Sequence, residues 1–260
     1  MIIIGEQINA TRKVIAAALE AREESVIVNA AKAQASAGAD YIDVNGGDAR
    51  EGREVSNVEW LIDLVQANTD VPISVDSANP EAVELGLSKS RGKCILNSVS
   101  LETHRLENLL PVVERFDCLV VALLMSDSGT PSGVEDRLEC AEKLVGHLTS
   151  AGKKVEDIII DPCFLPVSAD ACSARAVIDS IAAIRQRWPE IHIGGGCSNT
   201  SYGLPKRKFI NFAVLTQAIY HGMDVGIIDP CVPDMMSVIL AAQAVAGRDE
   251  FCMNYVTRMR

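Results

Sequence analysis

Positive charge is scarce in this 260-residue sequence: 24 Lys and Arg face 35 Asp and Glu, leaving a formal charge of −11 at pH 7. Nucleic acid is held by Lys and Arg gathered on one face, and here they are spread thinly, so no nucleic-acid partner is expected. A small anionic ligand stays open through local groups such as Lys206, Arg207 and Lys208. Long apolar runs are also missing. None reaches the ~18 residues that a membrane-spanning helix needs, the longest candidates being Cys118 to Met125 and Met235 to Ala246, so no membrane partner is expected. The opening Met1-Ile-Ile-Ile leads straight into Gly5 and Glu6, with no basic segment and no apolar core of signal length. The eight cysteines contain no C-x-x-C and several sit in strand-like runs, so they read as reduced thiols of a cytoplasmic protein. No linker, low-complexity tract or charge block divides the chain, which reads as one domain over 1–260.

What is present is a repeated alternation. Eight short runs rich in β-branched residues (Ile2 to Ile4, Tyr41 to Val44, Pro72 to Val75, Cys94 to Leu96, Leu119 to Leu123, Ile158 to Ile160, Ile191 to Ile193 and Val225 to Ile228) are separated by helical patterns. Val26, Ala30, Ala33 and Ala37 form one helical stripe, and Val58, Leu61, Ile62 and Val65 another. Eight parallel strands joined by helices predict a single (β/α)8 TIM barrel. An open doubly wound sheet is the competitor, but G-x-G-x-x-G is absent after the first strand.

Polar residues follow every run. Gly5-Glu6-Gln7-Ile8-Asn9, Asn45-Gly46-Gly47, Asp76-Ser77, Asn97-Ser98, Ser126-Asp127, Asp161-Pro162, Ser198-Asn199 and Asp229-Pro230 would converge on the mouth of a barrel. Any one of them could simply cap a helix. Together they predict a mouth rich in amides and carboxylates and nearly empty of Lys, Arg and His, suited to a neutral heterocycle with several N–H donors, such as a pterin or purine edge. The stretch Ile191 to Asn199 runs through three glycines into Ser198 and Asn199, read here as the floor of the site, with close backbone approach by a ligand.

Six of these segments, in order along the chain, carry a resemblance: Ile4-Gly5-Glu6-Gln7-Ile8-Asn9, Ile42-Asp43-Val44-Asn45, Val75-Asp76-Ser77, Leu96-Asn97-Ser98, Ile160-Asp161-Pro162 and Cys197-Ser198-Asn199. With the Met125 to Arg137 loop, they resemble the pterin-binding methyltransferases that move a methyl group between tetrahydrofolate and a corrinoid protein. The resemblance implies a barrel, a homodimer, a folate substrate (tetrahydrofolate or 5-methyltetrahydrofolate), a separate corrinoid protein as partner and no metal in this chain. It implies that Asp76, Asn97 and Asp161 hold the pterin ring and that Asn199 lies near N5, with Glu6, Asn9, Met125, Ser198, Tyr202 and Arg207 around the substrate. Tyr202 and Gln7 depart from the family, where Gln and Arg are common at these positions.

Transfer through N5 requires a stabilised cation there, because an uncharged amine is a poor leaving group. An Asn199 amide suits this by turning either end to N5, and Asp76 and Asp161 favour the cation. No side chain of the set reads as an acid at neutral pH, so a water relayed by Asp43, Asp127 or Asn97 is the expected proton source. Three alternatives accompany this reading. Cys163, Cys197 and Cys231, each just past a strand, could bind zinc for thiol methylation, although buried thiols are the plainer explanation. A dihydropteroate synthase would share the aspartates, but Ser198-Asn199-Thr200 stands where a synthase has Ser-Arg-Lys. A non-catalytic folate carrier is the third. Glu190-Ile-His192 approaches a cobalt-ligating pattern, yet His192 lies within a strand and reads as packed; the other histidines read as surface residues. The direction of transfer is not written in the residues.

Overall fold

The computed structural model describes residues 1–47 and 53–260. Its strands are β1 (Ile2–Asn9), β2 (Tyr41–Asn45), β3 (Ile73–Asp76), β4 (Ile95–Leu101), β5 (Leu119–Ser126), β6 (Ile158–Asp161), β7 (His192–Gly195) and β8 (Val225–Ile228), closed into a parallel barrel in which β1 also pairs with β8. Around it run α1 (Lys13–Ala21), α2 (Glu24–Ser36), α3 (Arg53–Asn68), α4 (Pro80–Lys89), α5 (Thr103–Arg115), α6 (Val134–Ser150), α7 (Ser173–Arg187), α8 (Arg207–His221), α9 (Met235–Val245) and α10 (Met253–Met259). Among the described residues no helix is long and apolar enough to cross a membrane.

All eight expected strands form, and β1, β4 and β5 run well past their apolar runs. β1 reaches Asn9, whose register partner is Asn45, and β4 and β5 extend to Leu101 and Ser126. Main-chain pairing carries these strands past the point where side-chain preference for strand ends. β7 likewise continues through Gly194 and Gly195 instead of stopping before them. A Cβ on Gly194 would stand 2.2 Å from the Val225 carbonyl oxygen, so the glycine lets β7 close against β8.

Alternation along the strands divides the core in two. Ile4, Ile95, Leu119, Val121, Ile159 and Val225 fill the inside of the barrel, while the intervening residues pack outward against the helices. The expected stripe Val58, Leu61, Ile62 and Val65 is buried on α3. On α2 the stripe is turned: Ile27, Ala31 and Gln34 are buried and Ala33 is exposed. The reason lies in β1, where the register slips between Gly5 and Ile8 and the Gln7 N–H donates 2.9 Å to Gln34 Oε1, in space left open by Gly5.

Two glycines test this packing in opposite directions. Gly194→Ala is expected to lower stability by about 1–3 kcal/mol, because the new methyl meets main chain. Gly146→Ala, inside α6 with open space around its Cβ, is expected to raise it by about 0.5–1 kcal/mol. Denaturant midpoints of the two variants check both signs.

Candidate active site

Two residues further along, the inward-facing positions are polar on five of the strands, and on β3 the preceding inward position is already a serine. Ile4 is followed by Glu6, Tyr41 by Asp43, Ser74 by Asp76, Ile95 by Asn97 and Ile159 by Asp161. Register then sets neighbours side by side: Asp43 opposite Ser74, Asp76 opposite Asn97, and Asp161 opposite Leu123. Above them opens a cavity of about 710 Å3 at the carboxyl ends of the strands, a size that suits a small organic ligand. Asp43, Asn97 and Asp161 are buried at its floor.

Each floor carboxyl has its own donors. Asp43 Oδ1 accepts from Ser74 Oγ at 2.6 Å and Asn97 Nδ2 at 3.2 Å. Asp76 Oδ2 accepts from Asn45 Nδ2 at 3.0 Å and Asn9 Nδ2 at 3.4 Å, and Arg105 lends it positive charge. Asp161 Oδ1 accepts the Cys163 N–H at 2.8 Å, and a Cβ on Gly195 would stand 2.4 Å from its carboxyl carbon. Gly194 and Gly195 therefore make room for β8 and for Asp161, and of the three glycines Gly196 lines the cavity, where a ligand can approach the main chain.

Burial raises the proton affinity of every one of these acids. Asp43 is held well above the ordinary carboxylate range by desolvation and by the facing Asp76, and Asp76 is raised by desolvation as well. Desolvation pushes Asp161 up to about 6 and Glu6 up to about 7, the latter against the lowering effect of Ser198 Oγ, which donates at 3.3 Å. The expectation that the mouth holds no acid at neutral pH is thus corrected: desolvation makes acids out of ordinary carboxylates.

Glu6, Asn9, Asp43, Asp76, Asn97, Asp161, Ser198, Asn199, Tyr202 and Arg207 all line the one cavity. Ser198 and Asn199 are its wall, however, and not its floor. The single turn Cys197–Ser201 lifts them off the strand, and Asn199 is exposed. Arg207 braces that turn, donating from Nη2 to the Ser198 carbonyl at 2.6 Å and from Nε to Ser201 Oγ at 2.9 Å. Among the described residues the Asn199 side-chain amide makes no hydrogen bond, which leaves both its ends available to a ligand.

Two expected residues fall elsewhere. Asp127 lies outside the cavity lining and accepts the Thr103 N–H at 3.1 Å, so it caps the start of α5. Met125 is not among the lining side chains; Leu123, two residues earlier on β5, takes that place. The three thiols do not converge: Cys197 is buried with its thiol 3.8 Å from Met223 Sδ, Cys231 is exposed, and among the described residues no group of three His, Cys, Asp or Glu could hold a metal. Burial also raises the Cys163 thiol to about 11, far from thiolate at neutral pH. His192 pairs through Nδ1 with Asp224 Oδ2 at 2.9 Å, where β7 begins. Of the other histidines, His104 and His147 are exposed and His221 is half-buried.

The mouth is also less short of cations than expected, because Arg12, Arg105, Arg207 and Lys208 reach its rim. They come from helices and loops and not from strand ends, so no strand-end pattern signals them. Asp229 and Asn211 were missed as site residues for different reasons. Asp229 is a visible strand end that binds Gln7 Nε2 at 2.7 Å, whereas Asn211 projects from within α8. Arg137, fully buried on α6, donates from Nε to the Pro162 carbonyl at 2.8 Å and so fixes the chain just after Asp161.

Comparison with known proteins gives a consistent set of relatives. Residues 5–229 match the family described as pterin binding enzyme. Over 262 aligned residues, all of this chain and 96% of the relative, the sequence is 36% identical to a methylcorrinoid:tetrahydrofolate methyltransferase of Eubacterium limosum. It is 28% identical to the methionine synthase of Mycobacterium leprae over 88% of this chain, which spans only 20% of that larger protein. In fold it resembles a dihydropteroate synthase of Coxiella burnetii, solved with pteroic acid, at TM-score 0.76 and 16% identity, covering 94% and 93% of the two chains.

The raised Asp161 carboxyl predicts a stability gain on neutralisation. Above pH 6 both the folded and unfolded chains carry the charge, and the fold bears the full burial penalty. As pH falls from about 6 towards 3.8 the folded chain takes up its proton first and the penalty fades. Asp161→Asn should therefore melt higher than the parent at pH 8, by an amount corresponding to about 2–3 kcal/mol, with the difference closing near pH 4. Thermal melts across this range measure it.

Proposed function

The chain belongs to the pterin-binding enzyme family, and from that membership we propose that it is a methyltransferase moving a methyl group between N5 of tetrahydrofolate and the cobalt of a separate corrinoid protein. The observation that carries the reading is the 36% identity, over the whole chain, with a methylcorrinoid:tetrahydrofolate methyltransferase. The cavity supports it: a floor of acceptors suits the N–H-rich edge of a pterin, and an open rim admits a large second reactant.

In this reading Asp76, Asn97 and Asp161 accept from the ring donors, and the pterin lies flat between them and the wall turn. Asn199 stands beside N5 with an uncommitted amide. Its oxygen accepts from N5–H when the nitrogen is protonated, and its Nδ2 donates to the lone pair when it is not. In one direction the N5–methyl bond breaks, its electrons stay on nitrogen, and cobalt(I) supplies the pair that forms the new bond. In the other, the N5 lone pair attacks the methyl and cobalt(I) leaves. The site contributes position and charge stabilisation, and the partner's corrinoid contributes the reactive metal. Arg12, Arg207 and Lys208 at the rim suit the anionic end of a folate.

The whole chain acts as one domain in this proposal, in the cytoplasm, connecting the folate pool with O-demethylation or an acetyl-CoA pathway. Phe209 and Tyr220 on α8 are exposed at 66% and 63%, an apolar face that favours a homodimer.

The cobalt spectrum of cob(I)alamin mixed with the protein and 5-methyltetrahydrofolate tests the reaction directly; no spectral change and no folate uptake would refute it. Asn199→Ala should slow single-turnover transfer by about 10²–10³ with folate affinity little changed. Asp161→Ala should instead weaken folate binding by about 1.5–3 kcal/mol, read by fluorescence titration.

A further inference from the structure

Behind the wall of the cavity lies a second, small chamber of about 40 Å3, lined among others by Cys197, Asn211, Leu215, Asp229 and Met235. Glu6 and Ser198 border both spaces. A chamber of this size has room for one or two waters. Asn211 Oδ1 is buried and lacks a donor among the described residues, so the chamber offers an acceptor that a water or a protonated carboxyl would satisfy.

We propose that Glu6 is the proton reservoir of the methyl transfer, exchanging its proton with N5 of the folate through the Ser198 hydroxyl and a water in the cavity, with Asn199 holding N5–H, and with solvent through the chamber beside Asn211. This deepens the methyltransferase reading and rests on it.

Geometry singles out Glu6 from the other three acids. Asp43, Asp76 and Asp161 are each tied by two side-chain amides or hydroxyls, or by a main-chain N–H with a glycine packed against the carboxyl. Among the described residues the Glu6 carboxyl takes only the long 3.3 Å bond from Ser198 Oγ, and of the four acids it is Glu6 that borders the second chamber. Ser198 is the neighbour of Asn199, and its hydroxyl is both donor and acceptor, as a relay requires. The groups facing Glu6 are Arg12 beyond β1, Asp43 on β2, Cys197 in the wall turn, Arg207 on α8 and Asp229 beyond β8. The two acids and the two cations oppose one another, and burial then leaves the carboxyl titrating at about 7, where it can both give and take a proton.

The balance is as follows. When methyl leaves for cobalt(I), the Glu6 proton passes through the Ser198 hydroxyl and a water in the cavity to N5, where the Asn199 oxygen accepts the new N5–H. The N5–methyl bond then breaks with its electrons remaining on nitrogen, which retains the proton as N5–H, and Glu6 is left as carboxylate. In the reverse direction N5–H attacks the methyl, cobalt(I) departs with the bonding pair, and the cationic nitrogen returns its proton to the Glu6 carboxylate.

The experiment is single-turnover transfer from methyltetrahydrofolate to cob(I)alamin with the full chain, followed across about pH 5.5–8.5, with folate affinity measured in parallel. The parent should show a break near pH 7, with rates falling above it. Glu6→Gln should be slower by about 10²-fold at low pH and should lose that break while binding folate within threefold of the parent. Ser198→Ala should lose the same break, and Glu6→Asp should recover part of the rate. Retention of the break and of the rate in Glu6→Gln, or loss of the break in Asp43→Asn alone, overturns the role of Glu6 with the methyltransferase reading intact. A parent protein that binds methyltetrahydrofolate without methylating cob(I)alamin, or does not bind it, overturns both.

Discussion

Glu6, Asp43, Asp76 and Asp161 are gathered at the top of a barrel above a largely hydrocarbon layer, and much of the surrounding structure answers the electrostatic cost of keeping them there. Taking carboxylates out of water disfavours their charge, and setting Asp43 against Asp76 disfavours it again. The amides of Asn9, Asn45 and Asn97, the hydroxyl of Ser74 and the guanidinium of Arg105 partly offset that cost. The remainder appears as raised proton affinity. A ligand presenting several N–H groups would add donors to these carboxyls and so ease the repulsion among them.

The barrel makes such a cluster possible because it separates the layer that holds the fold together from the layer that does chemistry. Closure rests on the lower ring of Ile, Leu and Val and on the helices packed outside. Two residues further along, each strand is free to carry a polar side chain without loss of that packing. Small adjustments then set the positions. The slip in β1 is stitched by Gln34, the bare Gly195 gives Asp161 its place, and Arg137 holds the chain that follows.

The wall differs from the floor in character. Its single turn carries Ser198 and Asn199 towards solvent, braced by Arg207 from α8, by the Val167 N–H on the Thr200 carbonyl and by the burial of Cys197, Thr200 and Ser201. A reaction whose second substrate is carried by another protein needs this arrangement: a rigid floor for the small heterocycle, an accessible wall at the reacting atom, and cations around the rim.

The sequence by itself determined the barrel and its polar mouth, because alternation along a strand is a local property. β-branched runs, helical stripes and the residue after each run are all read within a few positions, which is why Asp43, Asp76, Asn97, Asp161 and Asn199 were legible and share one cavity. Tertiary structure decided what depends on distance. It turned the α2 stripe to meet β1, took Asp127 away to cap α5, brought Arg12, Arg105 and Asn211 from outside the strands, and gave Gly194 to the neighbouring strand and Gly195 to the Asp161 side chain. Above all it made acids of the carboxylates. Desolvation is a sum over every atom packed around a group, and no short stretch of sequence contains that sum.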